Sequence, residues 1–475
     1  MKFTWKWLLD HLETDKILSE ILETLPKLGL EVASVVNLAE DLKSFISVEI
    51  IDVKKHPNAD KLNVCKVFDG KNTYNVVCGA PNVKLGMKSV FANIGTFIPG
   101  LNLKLKKGKI RGEESFGMLC SEKELTLSEN HNGIIELEAS SELGLSISDV
   151  MDLNDPIIEI EITPNRGDCL GVRGIARDLA AAGMGNLRDL DIIFSEGEFD
   201  SIINWHVDLD ENEKYLCPKI FGRSFTNLKN DESPLWLKNR LIAVDQRPIS
   251  SIVDITNYIM IDIGRPLHAY DIDKIKGTTL KISKSKKGDK FSALNGNTYE
   301  LDDNMLVISD EQSIDDLAGI MGGERTGVTE NTTRMFLEAA IFDPVSIANT
   351  GRKLNLNSDA RYRFERGLDY NSPETVMHYA AAMDNKICGG KFSKIVNFKL
   401  EQKDKIIKFD PNIIYQLTGV KIEIELSKSI LEKLGFKILS LDGVWDITAP
   451  SWRPDIDGVA DIVEEIIRIN GYDKI

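Results

Sequence analysis

The sequence predicts a multidomain α+β protein, and three observations lead there. Its 475 residues exceed what one ordinary core organises, at roughly 150 residues per domain. Short runs of alternating apolar residues crowd positions 47–91, and helical periodicity occupies both ends of the chain. At the N-terminus Trp7, Leu8, His11 and Leu12 mark a first helix, and a second runs from Lys16 to Leu28, where Gly29 stops it. From Ser47 the pattern alternates through Val48, Ile50, Val53, Leu62, Val64, Val67, Tyr74, Val76, Val77, Val90 and Phe91. Turns fall at Pro57-Asn58, Asp69-Gly70 and Gly79-Ala80-Pro81, and short strands at this spacing build a small β-barrel. A strand over 157–162 and a helix from Val172 to Ala182, closed by Gly183, follow. Residues 186–214 read as acidic and irregular and mark a boundary. A mixed α/β region then extends to Phe392. A last region from Lys403 carries helical patterns at Asp410–Gln416, Ser427–Leu434 and Gly458–Asn470, with strands near Phe436–Leu439 and Trp445–Ala449.

Composition narrows the function. A formal charge of −16 argues against a protein that coats nucleic acid indiscriminately, because phosphate binding is driven by Lys and Arg. The six cysteines are scattered without a Cys-x-x-Cys pair, which fits reduced, buried thiols in a cytoplasmic protein better than a disulfide scaffold or zinc ribbon. No run approaches the roughly 18 apolar residues of a membrane span, and Asp10 interrupts the N-terminus before a signal-peptide core develops. Neither a membrane partner nor secretion is expected.

Three constellations carry candidate chemistry. Lys104, Lys106, Lys107, Lys109 and Arg111 place five cations in eight positions, either a solvated loop or a track for phosphates. In the middle region Thr256, Asn257, Pro266, His268, Ala318, Gly319, Glu338 and Ala340 arrive from four segments and could line one cleft, although His268 taken alone reads first as a satisfied core histidine. Asp461, Glu464 and Glu465 fall at i, i+3 and i+4, with Asp455 just upstream. They form either an exposed acidic helix face or the oxygen donors of a hard cation.

The motifs agree on one family. His56-Pro-Asn-Ala-Asp-Lys-Leu62, Cys78-Gly-Ala-Pro-Asn82, the Gly-x-Phe-Ile-Pro-Gly run at 95–100 and Gly117-Met-Leu-Cys-Ser121 resemble the tRNA-binding oligonucleotide-fold (OB) domain appended to several synthetases. Thr163-Pro-Asn-Arg-Gly-Asp-Cys-Leu-Gly171, Arg265-Pro-Leu-His-Ala-Tyr-Asp271, Leu317-Ala-Gly-Ile-Met-Gly-Gly-Glu324 and Arg361-Tyr-Arg-Phe-Glu-Arg-Gly367 follow in order. Together they resemble the beta subunit of bacterial phenylalanine–tRNA ligase over essentially the whole chain.

The resemblance implies a discontinuous α/β domain (1–38 with 151–200), an inserted OB domain (39–149), a mixed α/β editing domain (212–395) and a winged-helix-like domain (403–475). It implies a class II ligase of two alpha and two beta chains. There the alpha subunit uses ATP to charge tRNA(Phe), while this subunit binds tRNA and hydrolyses mischarged tyrosyl-tRNA(Phe). Glu338 would accept the tyrosine hydroxyl, and His268, Thr256 and Asn257 would hold the attacking water and the ester, with Pro266, Ala318, Gly319 and Ala340 lining the pocket. Lys104, Lys106, Lys107, Lys109 and Arg111 would contact tRNA, and Asp455, Asp461, Glu464 and Glu465 would ligate Mg2+.

The family continues with further domains after the position of Ile475, so an N-terminal part is expected. Lys281-Ile-Ser-Lys-Ser285 and Arg363-Phe-Glu-Arg366 imitate synthetase signatures without their companions, so the chain is not expected to activate an amino acid. The competing reading is a free-standing tRNA-binding or trans-editing factor. A DNA-binding regulator is disfavoured because no basic recognition helix is evident.

Overall fold

The computed structural model describes every residue except Glu129, Ile193, Lys403 and Asp442. The expected start of the last region, at Lys403, therefore lies outside the described residues. The chain forms two compact units, one of Met1–Ser34, Glu159–Leu241 and Gln246–Ile475, the other of Val35–Ile158 and Ile242–Asp245.

The second unit holds the barrel-like sheet. Its strand order is Gly117–Leu119, Lys88–Asn93, Phe45–Lys55, Asn63–Phe68 and Thr73–Cys78, antiparallel throughout. The edges approach each other: Phe116 N–H bonds the Asn75 carbonyl at 2.9 Å and Val77 N–H bonds Ser115 Oγ at 3.1 Å. Val48, Ile50, Val67, Val76 and Phe91 are buried in its core, as alternation requires when one face of each strand points inward.

In the first unit the opening helix is Trp5–His11, preceded by a short strand, Lys2–Thr4. Thr4 Oγ accepts the Trp7 N–H at 3.2 Å and caps it. The second helix is shorter than expected. It ends at Thr24 and passes into a 3-10 turn, Leu25–Leu28, because Pro26 has no N–H to continue the ladder. Helix Val172–Ala181 follows the expected pattern. The acidic stretch before 214 is not wholly irregular. Asn204–Val207 is a strand that pairs in parallel with Thr279–Lys284, and its four residues are too short a run for polar Asn204 and His206 to reveal alternation.

Two sheets build the central part. In one, the strands His268–Asp271, Met335–Ile341 and Lys219–Thr226 lie side by side; in the other, Thr279–Lys284, Leu306–Ser309, Ile314–Leu317 and Met321–Gly322 follow Asn204–Val207. Phe336 and Ala340 from the first share a core with Leu280, Ile282, Ile308 and Leu317 from the second. Helix Ser251–Ile263 precedes the His268 strand. The C-terminal part sets three antiparallel strands, Ile406–Phe409, Val444–Thr448 and Lys437–Leu441, with helices Asn412–Thr418, Ile424–Lys433 and Val459–Asn470, around Phe409, Leu431, Trp445, Ile447 and Ile466. No described helix is long and apolar enough to cross a membrane.

Candidate functional site

Strand register brings His268 and Glu338 together. The His268 strand runs antiparallel to Met335–Ile341, with His268 directly opposite Glu338 and Tyr270 opposite Phe336, so His268, Tyr270, Glu338 and Ala340 share one face. Every residue of Met335–Ile341 is buried, and Glu338 is its one ionisable residue. A buried carboxyl requires partners. Glu338 Oε2 lies 3.1 Å from the Tyr270 hydroxyl, and the same hydroxyl lies 3.2 Å from Asp316 Oδ2, which projects from the facing sheet. The His268 ring stands edge-on to the Tyr270 ring, centroids 4.4 Å apart, and its Nε2 is 3.7 Å from Asp316 Oδ2, too far for a hydrogen bond. That nitrogen has no protein partner.

The electrostatics follow from this packing. Burial raises Glu338 to about 7, against the Tyr270 hydrogen bond and the Arg265 charge, both of which favour its carboxylate. Asp316 is pushed well above the usual carboxylate range by burial and then by the Glu338 charge. Burial lowers His268 to about 4, so its imidazole is neutral at pH 7 with a free ring nitrogen, although its side chain keeps 20 % of its exposure. Arg265, itself buried, donates to the Ala340 carbonyl. The glycines of the 317–324 motif make room for these groups. A Cβ on Gly322 would stand 2.1 Å from His268 Cε1, and Gly319, at φ +68°, packs where a Cβ would meet Phe342 at 2.9 Å.

The remaining expected pocket residues are placed less directly. Thr256 and Asn257 lie on helix Ser251–Ile263, and the Thr256 hydroxyl donates back to the Val253 carbonyl at 2.7 Å. Pro266 is buried in the segment entering the His268 strand, and Ala318 and Gly319 form the turn after Ile314–Leu317. Tyr270 and Asp316 were not among the expected residues. Their sequence signal is a tyrosine two positions beyond His268, hence on its face, and an acid enclosed in the strand Ile314–Leu317.

The basic stretch is two short hairpins rather than a loop. Leu103–Lys104 pairs with Phe97–Ile98, and Gly108–Ile110 pairs with Glu113–Ser115. Lys104, Lys106, Lys107, Lys109 and Arg111 are all exposed, and Lys107 bonds Glu114 at 3.1 Å and stands over the Phe116 ring. The His56-Pro-Asn58 motif supports the hairpin tip. His56 Nδ1 accepts the Asn58 N–H at 3.0 Å, which leaves Nε2–H to donate to the Ile110 carbonyl at 3.0 Å, and Asn58 Nδ2 donates to the Arg111 carbonyl at 3.1 Å. Beside these hairpins a cavity of about 440 Å³ is lined in part by Cys78, Pro81, Lys106, Ile110 and His131.

The four carboxylates expected around Mg2+ are not gathered into one cluster. Glu465 is buried, with Oε2 2.5 Å from Arg453 and 2.6 Å from Arg468. Asp455 is clasped by Arg453 through two 2.8 Å bonds. Asp461 Oδ2 accepts the Asp457 and Gly458 N–H groups at 2.8 Å each, at the N-terminus of its helix, and Glu464 is exposed. Glu465 in this arrangement fits a guanidinium pair, not a metal ion. Asp168, Cys169 and Asp178 do converge, but Arg166 fills that space, 3.0, 2.9 and 2.7 Å from them.

Family models match three stretches: a tRNA binding domain over residues 45–146, a B3/4 domain over 216–389, which contains His268, Asp316 and Glu338, and a tRNA synthetase B5 domain over 407–472. All of the chain aligns with phenylalanine–tRNA ligase beta subunits, at 47 % identity to that of Paramagnetospirillum magneticum and 46 % to that of Bartonella quintana, and spans 59 % of each. An N-terminal fragment of the phenylalanyl-tRNA synthetase beta subunit from Pyrococcus horikoshii superposes with a TM-score of 0.37 at 17 % identity, covering 67 % of this chain and 88 % of that one. The chain belongs to the phenylalanine–tRNA ligase beta subunits, as the N-terminal part of one.

Proposed function

We propose that the chain is the tRNA-binding and proofreading part of a phenylalanine–tRNA ligase, and that the cleft at His268 and Glu338 hydrolyses tyrosine wrongly esterified to tRNA(Phe). The observation that carries this reading is a buried carboxyl, Glu338, set opposite a neutral histidine whose free nitrogen has no protein partner. Tyrosine and phenylalanine differ by one hydroxyl, and an apolar pocket rejects an added hydroxyl poorly. A second site that hydrogen-bonds the hydroxyl and lacks a partner for phenylalanine supplies the discrimination.

In this role Glu338 accepts the substrate phenol. His268 Nε2 accepts a hydrogen bond from the attacking water; with its affinity for protons so low it orients the water more than it deprotonates it. The aminoacyl ester is already activated, so positioning supplies much of the rate. Thr256 and Asn257 stand on the neighbouring helix as candidate contacts for the ester end.

The hairpins bearing Lys104, Lys106, Lys107, Lys109 and Arg111 are proposed to meet tRNA phosphates. The alpha subunit, in a two-alpha, two-beta assembly, would use ATP to charge the tRNA, and the whole would work in the cytoplasm. The C-terminal domain, winged-helix-like in this reading, would hold Mg2+ through Asp461, Glu464 and Asp455. Glu465 would join them only by leaving Arg453 and Arg468, and Asp455 only by turning away from Arg453. Magnesium titrated into this chain should then bind weakly, in competition with those arginines.

The test is deacylation of tyrosyl-tRNA(Phe) by the full-length beta subunit assembled with alpha, with phenylalanyl-tRNA(Phe) as control. Glu338→Ala should abolish the preference for the tyrosyl ester and leave tRNA binding unchanged. An unchanged preference would refute the assignment. A chain that never co-purifies with an alpha subunit, yet still deacylates, would favour a free-standing editing factor.

A further inference from the structure

The Tyr270 hydroxyl has one proton and two carboxyl neighbours at nearly equal distance, Glu338 Oε2 at 3.1 Å and Asp316 Oδ2 at 3.2 Å. It can donate to only one of them. The other contact is a hydrogen bond only if that carboxyl carries a proton and donates to the phenol oxygen. Two ionised carboxylates across a single hydroxyl, in a buried site, would repel with nothing between them to compensate. The group therefore holds one proton beyond the phenol's own, and its direction is set by the surroundings.

Glu338 is faced by His268 and Tyr270 from its neighbouring strand, by Asp316 from the facing sheet, by Arg265 from the segment before His268 and by the Cys217 thiol, which burial keeps protonated. The one permanent cation among these, Arg265, favours an ionised Glu338. No cation offsets the burial of Asp316, whose neighbour Asp315 adds a further negative charge and keeps Arg325 for itself and Asp310.

We infer that Tyr270 and Asp316 complete the hydroxyl-reading end of the pocket: a protonated Asp316 donates to the Tyr270 hydroxyl, and Tyr270 donates to Glu338, which stays a carboxylate able to accept a substrate phenol. Both are positioning residues acting through Glu338, and the inference rests on the hydrolytic reading above. Glu338 Oε2 is occupied by the protein's own tyrosine, so a substrate phenol meets Oε1 or displaces Tyr270. Phenylalanine, lacking the hydroxyl, does neither.

The experiment compares tyrosyl- and phenylalanyl-tRNA(Phe) hydrolysis across pH 5.5–8.5 by the full alpha–beta enzyme carrying wild-type, Glu338→Gln, Tyr270→Phe, Asp316→Asn or Asp316→Leu beta subunits. Removing the Tyr270 donor disfavours the carboxylate, so Tyr270→Phe should move the rise in tyrosyl preference to higher pH by about one unit, a loss of roughly tenfold at the acid end. Asp316→Asn can still donate to Tyr270 and should keep the wild-type profile, whereas Asp316→Leu should not. Thermal melting separates these effects from unfolding. In infrared spectra at pH 8.5, above the Glu338 titration, a component of the protonated-carboxyl band should vanish in Asp316→Asn and persist in Glu338→Gln, over the constant contribution of the buried Asp384 carboxyl.

A wild-type profile in Tyr270→Phe, or a band that disappears with Glu338→Gln instead, would overturn the inference while leaving the hydrolytic reading intact. Loss of tyrosyl preference in none of the variants, Glu338→Gln included, would overturn both.

Discussion

Glu465→Gln tests the electrostatics of the C-terminal helix. In the native fold Glu465 is 2 % exposed and meets both Arg453 and Arg468 at 2.5–3.2 Å. Burial alone would raise its pKa; the charges of Arg468 and Arg453 outweigh that and hold it at about 2, against an ordinary 4.5. At 1.36 kcal/mol per pH unit, this gap corresponds to about 3 kcal/mol of stability at neutral pH. The variant does not strand the arginines, since Arg453 keeps Asp455 and Arg468 keeps Asp178, so its cost should stay near that figure and not reach the upper end of about 5 kcal/mol for a broken buried pair.

Because the folded pKa is depressed, the stabilisation is fully present above about pH 5 and fades as pH falls toward about 2. Glutamine does not titrate, so the deficit of the variant relative to wild type should be largest at neutral pH and shrink through that window. Hydrogen exchange of amides in Val459–Asn470, followed against urea and pH, reads it locally. A deficit below about 1 kcal/mol, or one independent of pH down to about 3, would refute the argument.

Gly322→Ala should crowd His268, whose Cε1 lies 2.1 Å from where the new Cβ would sit. A ring displaced by about 1 Å should cost on the order of 100-fold in tyrosyl-ester hydrolysis, with only about 1–3 kcal/mol lost from stability in chemical denaturation. Replacing Lys104, Lys106 and Lys109 with alanine should weaken tRNA binding and flatten the dependence of log affinity on log salt by roughly 0.7–0.9 for each phosphate no longer neutralised, measured by filter binding. Lys107→Ala should do less, because Glu114 already shares its charge. Asp262→Ala removes the acceptor of Trp7 Nε1 at 2.6 Å, His11 Nε2 at 2.6 Å and Tyr379 Oη at 2.8 Å, all on a fully buried carboxylate, and should cost on the order of 4 kcal/mol in urea unfolding.

Much of the barrel is legible in the sequence because one-sided burial writes itself as period-two alternation. Val48, Ile50 and Val76 fall in strands at the expected positions, whereas the adjacent Val90 and Phe91 are both buried because Lys88–Asn93 is covered on both faces. The candidate site is legible by residue type but not by pairing. His268 and Glu338 are cross-strand partners separated by seventy positions in sequence, and nothing local encodes that register. Asp316 is hidden for a related reason: its partners, Tyr270 and Glu338, sit on the opposite sheet. At the acidic helix, spacing alone misleads. Glu465 lies between Ile462 and Ile466 on the buried side, and Arg468, three residues on, already answers its charge.

The same pairing bears on why arginine and acid recur in the motifs away from the cleft. Asp168, Arg166, Asp178, Arg468, Glu465, Arg453 and Asp455 form a chain of alternating sign, each member within 3.0 Å of the next. It joins the 166–178 segment to the start and the end of the C-terminal helix region. Buried pairs add little net stability relative to apolar packing, because desolvation consumes most of their attraction. They do make misalignment expensive, since a shift of one segment by a single residue would bury several unpaired charges at once. The same logic holds elsewhere in the first unit. Arg363 reaches the Leu170 carbonyl at 3.2 Å, and a Cβ on Gly171 would stand 2.2 Å from the Gly264 backbone, two residues before Pro266. The strand that presents His268 thus begins at a point pinned against the 163–171 motif. Residues far from the cleft in sequence fix the position from which His268 meets Glu338.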